Sequence, residues 1–376
     1  MSSAIEPPGE PDLSPEIARR RGLRSGWTTG TCASAAAKAA LSRLVTGQVI
    51  DVVEVGLPAG KRVSFPVEWD GAGRALVVKD AGDDPDCTDG ARMTAEIRWA
   101  GAGGKSQLHA GVGIGTVTKP GLGLPVGAPA INPVPRRMIH QALAEVSSAP
   151  AIVSFSVPGG EEMSAQTTNS RLGIVGGISI LGTSGVVRPF STASYRASVV
   201  QQIDVAAAQG EHHVVLATGA RSEAAAVRCF SALDPVCFVE VGDFTGIALR
   251  RCAHVGTTKV TFVGMAGKVA KLAAGIMMTH FHRSEVDTAL LSRLAAEAGA
   301  PPTVLDAATA TATARHFFDV CVATSFLPPL ARLCETARTA CLAHAGGRFD
   351  LDLLLVDYEG SSVVCSSDRY GTTLHH

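Results

Sequence analysis

The chain has 376 residues, 46% of them hydrophobic and 18% charged, with a formal net charge of −1. That length can bury a large core and suggests two or three domains, and the near-neutral balance excludes the bulk field that draws a protein to nucleic acid or an anionic membrane. Its 9 cysteines are scattered, with no CxxC pair, which fits apolar thiols in a reducing cytoplasm better than a disulfide frame.

Residues 1–22 are rich in Pro and charge and lack an apolar h-region, so they read as a flexible tail and not a signal peptide. No apolar run approaches the ~20 residues that span a bilayer, and a cytoplasmic location is expected. Residues 23–190 are glycine-rich, with short β-type runs at 49–55, 76–79, 93–99 and 152–157. Helix-like segments at 33–44 and 135–146 interrupt them, the second opened by Pro135, which suits a first helical turn. This mixture predicts an α+β domain.

The pattern changes at about residues 189–191. A helix is expected at 194–208, then a strand at 213–218 ending on Gly219 and a helix at 222–230. Next come a strand at 236–241 ending on Gly242, a helix at 245–254, a strand at 259–263 ending on Gly264, and a helix at 268–278. Strand, glycine and helix in threefold repetition predict parallel βαβ units. Residues 351–357 offer a fourth strand after the helices between 304 and 344. The expected fold class is therefore a two-domain α/β protein: a tail over 1–22, an α+β domain over 23–190, and a parallel α/β, Rossmann-like layer over 191–376. The terminal Leu-His-His is either native or the remnant of a tag.

Several chemistries are excluded by spacing. Gly104-Lys105-Ser106 resembles the end of a P-loop, but the earlier glycine position holds Trp99. The acidic run from Asp80 to Asp89 is no EF-hand, because the position that requires glycine holds Pro85 in one frame and Asp89 in the other. There is no HExxH, no GxSxG and no zinc-type Cys/His spacing, so no metal site is expected. His280 and His282 form an HxH pair whose side chains would diverge on a helix and share a face on a strand.

Four groups of residues can carry chemistry. Thr28, Thr29 and Thr31, with Gly30, stand where a helix begins, so they either cap it or form an anion site for a carboxylate or phosphate. The glycines from Gly111 to Gly127 fit a bulged hairpin or a loop that admits another body to the backbone. The run after Asn169-Ser170-Arg171, bounded by Arg171 and Arg188, is either a buried strand pair or the wall of a flat apolar pocket with cationic edges. Gly219, Gly242, Asp243, Gly264, Gly267 and Lys268, with Thr245 at the head of the next helix, fall at strand ends, where parallel sheets bind ligands and where tight turns also need glycine. An adenosyl ligand fits such a crevice, with Asp243 on its ribose hydroxyls.

Taken together, TTGTCASAAAKAA, DAGDDPD, GVGIGTVTKPGLGLPVGAPAINPVPRRMI, NSRLGIVGGISILGTSGVVRP, GDFTGIALRRCAHVG, TKVTFVG and GKVAKLAAGIMMTH resemble the cobalt-precorrin-5B C1-methyltransferase family, CbiD. The resemblance runs from about residue 24 to 282 and thins towards the C-terminus. It departs at Phe281, where the family has Ser, and in the residues that follow. The resemblance implies a first domain like the second domain of ribosomal protein S5. It also implies S-adenosylmethionine-dependent methylation at C1 of cobalt-precorrin-5B, giving cobalt-precorrin-6A in cobalamin biosynthesis. For a ring with many acetate and propionate arms, Lys119, Arg136, Arg137, Arg171 and Arg188 become the expected carboxylate anchors, joined by Asn169 and the Thr28–Thr29–Thr31 cap. Asp83 or Asp84 would stabilise the sulfonium or steer a ring proton, and His280 matches the family.

Two further readings stay open: a non-enzymatic tetrapyrrole carrier, and methylation of the metal-free precorrin-5B. A nicotinamide oxidoreductase would need a true dinucleotide fingerprint after a strand, and none is present. The expected partner is a tetrapyrrole, with neither nucleic acid nor membrane, and a homo-oligomer is compatible with the sequence.

Overall fold

The computed structural model describes residues 22–279, 286–311 and 313–367. Two compact units divide between Tyr195 and Arg196, a few residues beyond the boundary expected at 190/191.

The first unit runs β1 (Gly26–Trp27), α1 (Thr29–Thr46), β2 (Val52–Gly56), β3 (Arg62–Pro66), β4 (Glu68–Trp69), β5 (Ala75–Val78), β6 (Arg92–Trp99), β7 (Gln107–Ala110), β8 (Gly113–Ile114), β9 (Thr116–Val117), α2 (Pro133–Ala144), β10 (Ala151–Ser156), α3 (Gly160–Ser164), β11 (Ile174–Val175), β12 (Gly177–Ile178) and β13 (Val186–Val187). Its main sheet has the order β4-β5-β6-β10-β7, antiparallel except for the β10–β7 pair. α1 packs on this sheet and on α2. It begins four residues earlier than expected, because the Thr28 side chain accepts the Thr31 N–H, and it ends on Gly47, whose φ of 71° suits only glycine. Alanines let it approach closely: Ala33, Ala35, Ala36, Ala37 and Ala39 are fully buried beside Met93 and Phe155.

The second unit runs α4 (Thr192–Ala208), β14 (His213–Ala217), α5 (Ala220–Cys229), β15 (Phe238–Glu240), α6 (Thr245–Val255), β16 (Lys259–Gly264), α7 (Ala266–Ala273), α8 (Thr288–Glu297), α9 (Pro302–Ala310), α10 (Ala314–Ala323), α11 (Pro328–Ala345), β17 (Asp350–Val356) and β18 (Val363–Ser366). Its sheet order is β15-β14-β16-β17-β18, parallel up to β17 and antiparallel at the β18 edge. The three expected βαβ repeats are these strands and helices. α7 stops five residues short of the expected end, because Gly275 turns with φ 79°. The edge strand β18 has no counterpart among the expected elements.

All nine cysteines are free, and burial pushes the Cys32 and Cys252 thiols up to about 12. No helix among the described residues is long and apolar enough to cross a membrane, and those residues include no His/Cys/Asp/Glu cluster able to hold a metal ion.

Candidate active site

In the second unit, β15 and β16 flank β14, so the chain leaves β14 on one side and returns on the other. Such a reversal opens a crevice at the carboxyl ends of the strands. The structure brings the expected residues to this edge. Lys268, on the first turn of α7, forms an ion pair with the Asp243 carboxylate beyond β15, across the carboxyl end of β14. Thr279 joins them: its N–H donates to the Asp243 carbonyl at 3.0 Å and its hydroxyl lies 3.4 Å from Asp243 Oδ1. Lys271 Nζ donates to the Thr279 carbonyl at 3.2 Å, and burial together with nearby Lys268 lowers its ammonium from the ordinary value.

The glycines at this edge divide by cause. Gly264 is dictated by packing, since a Cβ there would lie 2.7 Å from the Phe262 ring, and Gly242 turns with φ 54°. Gly219 and Gly267 are different: a Cβ at either would have nothing within 4 Å, so open space lies before both. Thr245 is fully buried, and its hydroxyl has no hydrogen-bond partner among the described residues. Such an orphan costs about 1–3 kcal/mol unless something else satisfies it.

In the first unit the glycine-rich segments interlock. A Cβ on Gly113 would come within 1.9 Å of the Val157 carbonyl, one on Gly160 within 2.2 Å of the Gly113 carbonyl, and one on Gly177 within 2.1 Å of Gly113. These glycines therefore exist so that three backbones can meet, and β8 and β12 pair through Gly113 and Gly177. Val112, Val126, Val175 and Leu181, in the segments that carry these strands, are exposed. β9 and β11 pair Val117 with Ile174, and the stem of Lys119 packs over Gly173, so Lys119 and Arg171 come to the same end of that pair. Arg137 and Arg188 are exposed.

Other expected site residues are engaged in the fold. Thr29 Oγ1 accepts the Leu181 N–H at 2.9 Å, and Thr31 Oγ1 donates to the Gly185 carbonyl at 2.7 Å. The Gly30 N–H donates to the Leu181 carbonyl at 3.0 Å, and Thr28 Oγ1 accepts the Thr31 N–H at 3.2 Å. At this helix start, where either capping or a carboxylate dock is expected, the chain's own residues 181–185 take up these hydrogen bonds. Arg136 Nε donates to the Ile131 carbonyl at 2.8 Å, and burial lowers its guanidinium from the ordinary value. Asn169 is buried and donates to the Gly177 carbonyl at 3.0 Å.

The acidic loop is mostly stapled. Asp89 accepts the Ala81 N–H at 2.7 Å, and Asp86 pairs with the buried Lys79 at 2.8 Å. Burial alone would push the Asp86 carboxyl up, but Lys79 and the Thr88 hydroxyl together outweigh it and leave it below its ordinary value. Asp83 accepts the Arg24 N–H at 2.5 Å, and Asp84 accepts the Phe190 N–H at 2.9 Å. Phe190 is exposed with φ 55°, a left-handed conformation that costs a non-glycine residue about 1–3 kcal/mol. This bond also brings Arg188 into the neighbourhood of the acidic loop. His280 and the HxH pair lie outside the described residues. Lys79 and Thr279 were missed in the sequence; the only signal for Lys79 was a lysine closing an apolar strand just before the acidic run.

Two family models match the chain: the one described as CbiD over residues 16–189 and the one described as CbiD, C-terminal domain, over residues 278–367. A protein of Salinispora arenicola named cobalt-precorrin-5B C(1)-methyltransferase is 54% identical, covering 98% of this chain and 100% of that one. Proteins of the same name from Rubrobacter xylanophilus and Thermus thermophilus are 52% and 45% identical, each covering 93% of this chain, and 93% and 96% of their own lengths. Among solved structures, a cobalamin biosynthesis protein (cbiD) from Archaeoglobus fulgidus is 30% identical and covers 72% of this chain and 89% of that chain, with a TM-score of 0.40.

Proposed function

The chain belongs to the CbiD family, and from that membership we infer that it is a methyltransferase of cobalamin biosynthesis acting at C1 of cobalt-precorrin-5B. The observation that carries this reading is the 54% identity to a relative of that name over 98% of the chain. We take the donor to be S-adenosylmethionine and the product to be cobalt-precorrin-6A. The first unit is read as S5 domain 2-like, the second as Rossmann-like, and the enzyme as cytoplasmic.

The second unit's edge fits an adenosyl donor. Gly219 and Gly267 leave open space, Thr245 carries an unpartnered hydroxyl, and Asp243 offers a carboxylate. Lys268 and Thr279 both address Asp243 Oδ1, so Oδ2 is left among the described residues for ribose hydroxyls. A sulfonium donor supplies an electrophilic methyl group and a neutral leaving group. The chain's own work is then positioning, for which about 7–11 kcal/mol is available in principle. Lys119 and Arg171 hold ring carboxylates at one end of the β9–β11 pair, Arg137 and Arg188 hold others, and the exposed valines cover the ring's flat face. Asp84, pinned to the Phe190 N–H, and Asp83 supply negative charge near Arg188 that steers a ring proton.

Purified protein given S-adenosylmethionine and cobalt-precorrin-5B should yield a ring heavier by one methyl group, read by mass spectrometry. Ring binding without any mass gain would leave a carrier and defeat this reading.

A further inference from the structure

Tyr358 lies two residues beyond β17, at the same carboxyl edge as the crevice, and its side chain is exposed. Two guanidinium groups sit over its ring, Arg221 with Cζ 4.3 Å and Arg315 with Cζ 3.7 Å from the centroid. Arg221 is two residues beyond Gly219 on the first turn of α5, and Arg315 is on the first turn of α10. The cluster therefore draws on three separate connections that reach one edge of the sheet.

The loop that carries Tyr358 is clamped. The Asp357 carboxylate accepts the N–H groups of Ser361 at 2.7 Å and Ser362 at 3.1 Å, along with both their hydroxyls. Arg221 Nη1 donates to the Tyr358 carbonyl at 2.9 Å, and Arg228 donates to the Gly360 carbonyl. Gly360 turns with φ 70°, and a Cβ there would lie 2.4 Å from the Arg221 carbonyl, so the loop rests directly on α5. Tyr358 is thus held out by construction.

The charges are lopsided. The ring face attracts each cation, but two cations sharing one ring repel. Asp357 is committed to its serines. Asp319 reaches Arg315 only at 3.6 Å, with both side chains more than half exposed, and Glu359 is exposed beside the ring. The guanidinium of Arg221 first, and then that of Arg315, hold the Tyr358 phenol below its ordinary value. Two planar forks fixed around an aromatic plate suit a carboxylate, which guanidinium binds bidentately.

We propose that Arg221, Tyr358 and Arg315 form a carboxylate-docking platform beside the donor crevice; this extends the methyltransferase reading and rests on it. The carboxylate comes either from an acidic arm of the macrocycle or from the amino-acid end of the donor.

The test uses full-length protein and the variants Arg221→Ala, Arg315→Ala and Arg221→Lys. Uroporphyrin I serves as a carboxylate-bearing ring, read by its visible band. S-adenosylhomocysteine and 5′-methylthioadenosine, which lacks the amino-acid carboxylate, are measured by calorimetry. Each alanine variant should weaken the carboxylate ligand about tenfold, with Arg221→Lys intermediate because it keeps charge and loses the fork. Weakened uroporphyrin with unchanged S-adenosylhomocysteine assigns the platform to the ring. Weakened S-adenosylhomocysteine with unchanged methylthioadenosine assigns it to the donor. If Arg221→Ala fails to fold, Arg315→Ala, an exposed residue, carries the test. Folded variants that bind both ligands within twofold of the parent overturn the proposal, as does a parent protein that binds neither. A parent that binds both but transfers no methyl group defeats the methyltransferase reading and leaves the platform measurable.

Discussion

Replacing Asp243 by Asn separates the donor crevice from its surroundings with little change of shape. In the parent, Asp243 Oδ1 is ion-paired with Lys268 and approached by the Thr279 hydroxyl, and the Asp243 carbonyl accepts the Thr279 N–H. The backbone bond survives the substitution. The ion pair does not, and since both side chains are about a quarter exposed, its loss should cost only about 1 kcal/mol of stability, a few degrees in Tm. Donor binding should suffer more. A ribose hydroxyl bonded to a carboxylate gains about 1.5–3 kcal/mol. The Asn amide would turn its oxygen to Lys268 and present its NH₂ to the ribose. S-adenosylhomocysteine affinity should therefore fall about 10- to 100-fold, measured by calorimetry, while uroporphyrin binding stays unchanged. A folded Asp243→Asn protein that binds S-adenosylhomocysteine within twofold of the parent would refute the assignment of the crevice.

Arg171→Ala should raise KM for the tetrapyrrole about tenfold or more and leave S-adenosylhomocysteine binding intact; a fall in donor affinity instead would show the two sites wrongly divided. Gly113→Ala should destabilise the fold by about 3 kcal/mol or more, since its Cβ would press into the Val157 carbonyl; an unchanged urea midpoint would contradict this. Thr31→Val should cost about 0.5–1.5 kcal/mol of stability, because it removes one of the two hydrogen bonds to the buried Gly185 carbonyl and leaves the one from the Thr28 N–H, with ring KM unchanged; a selective rise in KM would favour the anion-site reading. Bonds from Arg62 and Lys38 hold the Glu145 carboxyl at about 2, below its ordinary 4.5. Its stabilisation is therefore complete above about pH 4.5 and disappears as pH falls through about 2. With the carboxylate about a third exposed, Glu145→Gln should cost about 1 kcal/mol at pH 7, and urea titrations should show the difference from the parent shrinking between pH 4.5 and 2.

The second unit was the more legible half. β14, β15 and β16 are apolar runs closed by glycine, and local pattern suffices when a strand is buried on both faces. β14 and β16 accordingly start at the expected residues. The antiparallel edge strand β18 escaped because Val363–Ser366 is short and half-buried. In the first unit β3, β7 and the two-residue pairs were unreadable. For β7 and β12 the reason for being strands is a partner far along the chain, β10 and β8 respectively, whereas β3 closes a short hairpin with β2. The meeting of Gly219, Asp243 and Lys268 was legible for the same reason as the strands, since parallel topology alone puts strand-end residues on one edge. Thr279 was not, because it reaches Asp243 through a turn after α7 that no periodicity announces.

The helix start at Thr28 shows how local chemistry depends on residues far along the chain. Hydroxyls and free N–H groups at a helix N-terminus are an anion site only if nothing in the chain arrives to fill them. Here the occupant comes from about 150 residues downstream. Gly182 and Gly185 are the residues that let it in: a Cβ on Gly182 would meet Thr28 at 2.5 Å, and one on Gly185 would meet Thr31 at 2.9 Å. The three threonines and these two glycines thus form one joint, written in two distant stretches of sequence. The acidic loop follows the same logic, with Asp84 and Asp83 tying residues 190 and 24 together. The helix start and the acidic loop thus each tie distant stretches of the first unit together.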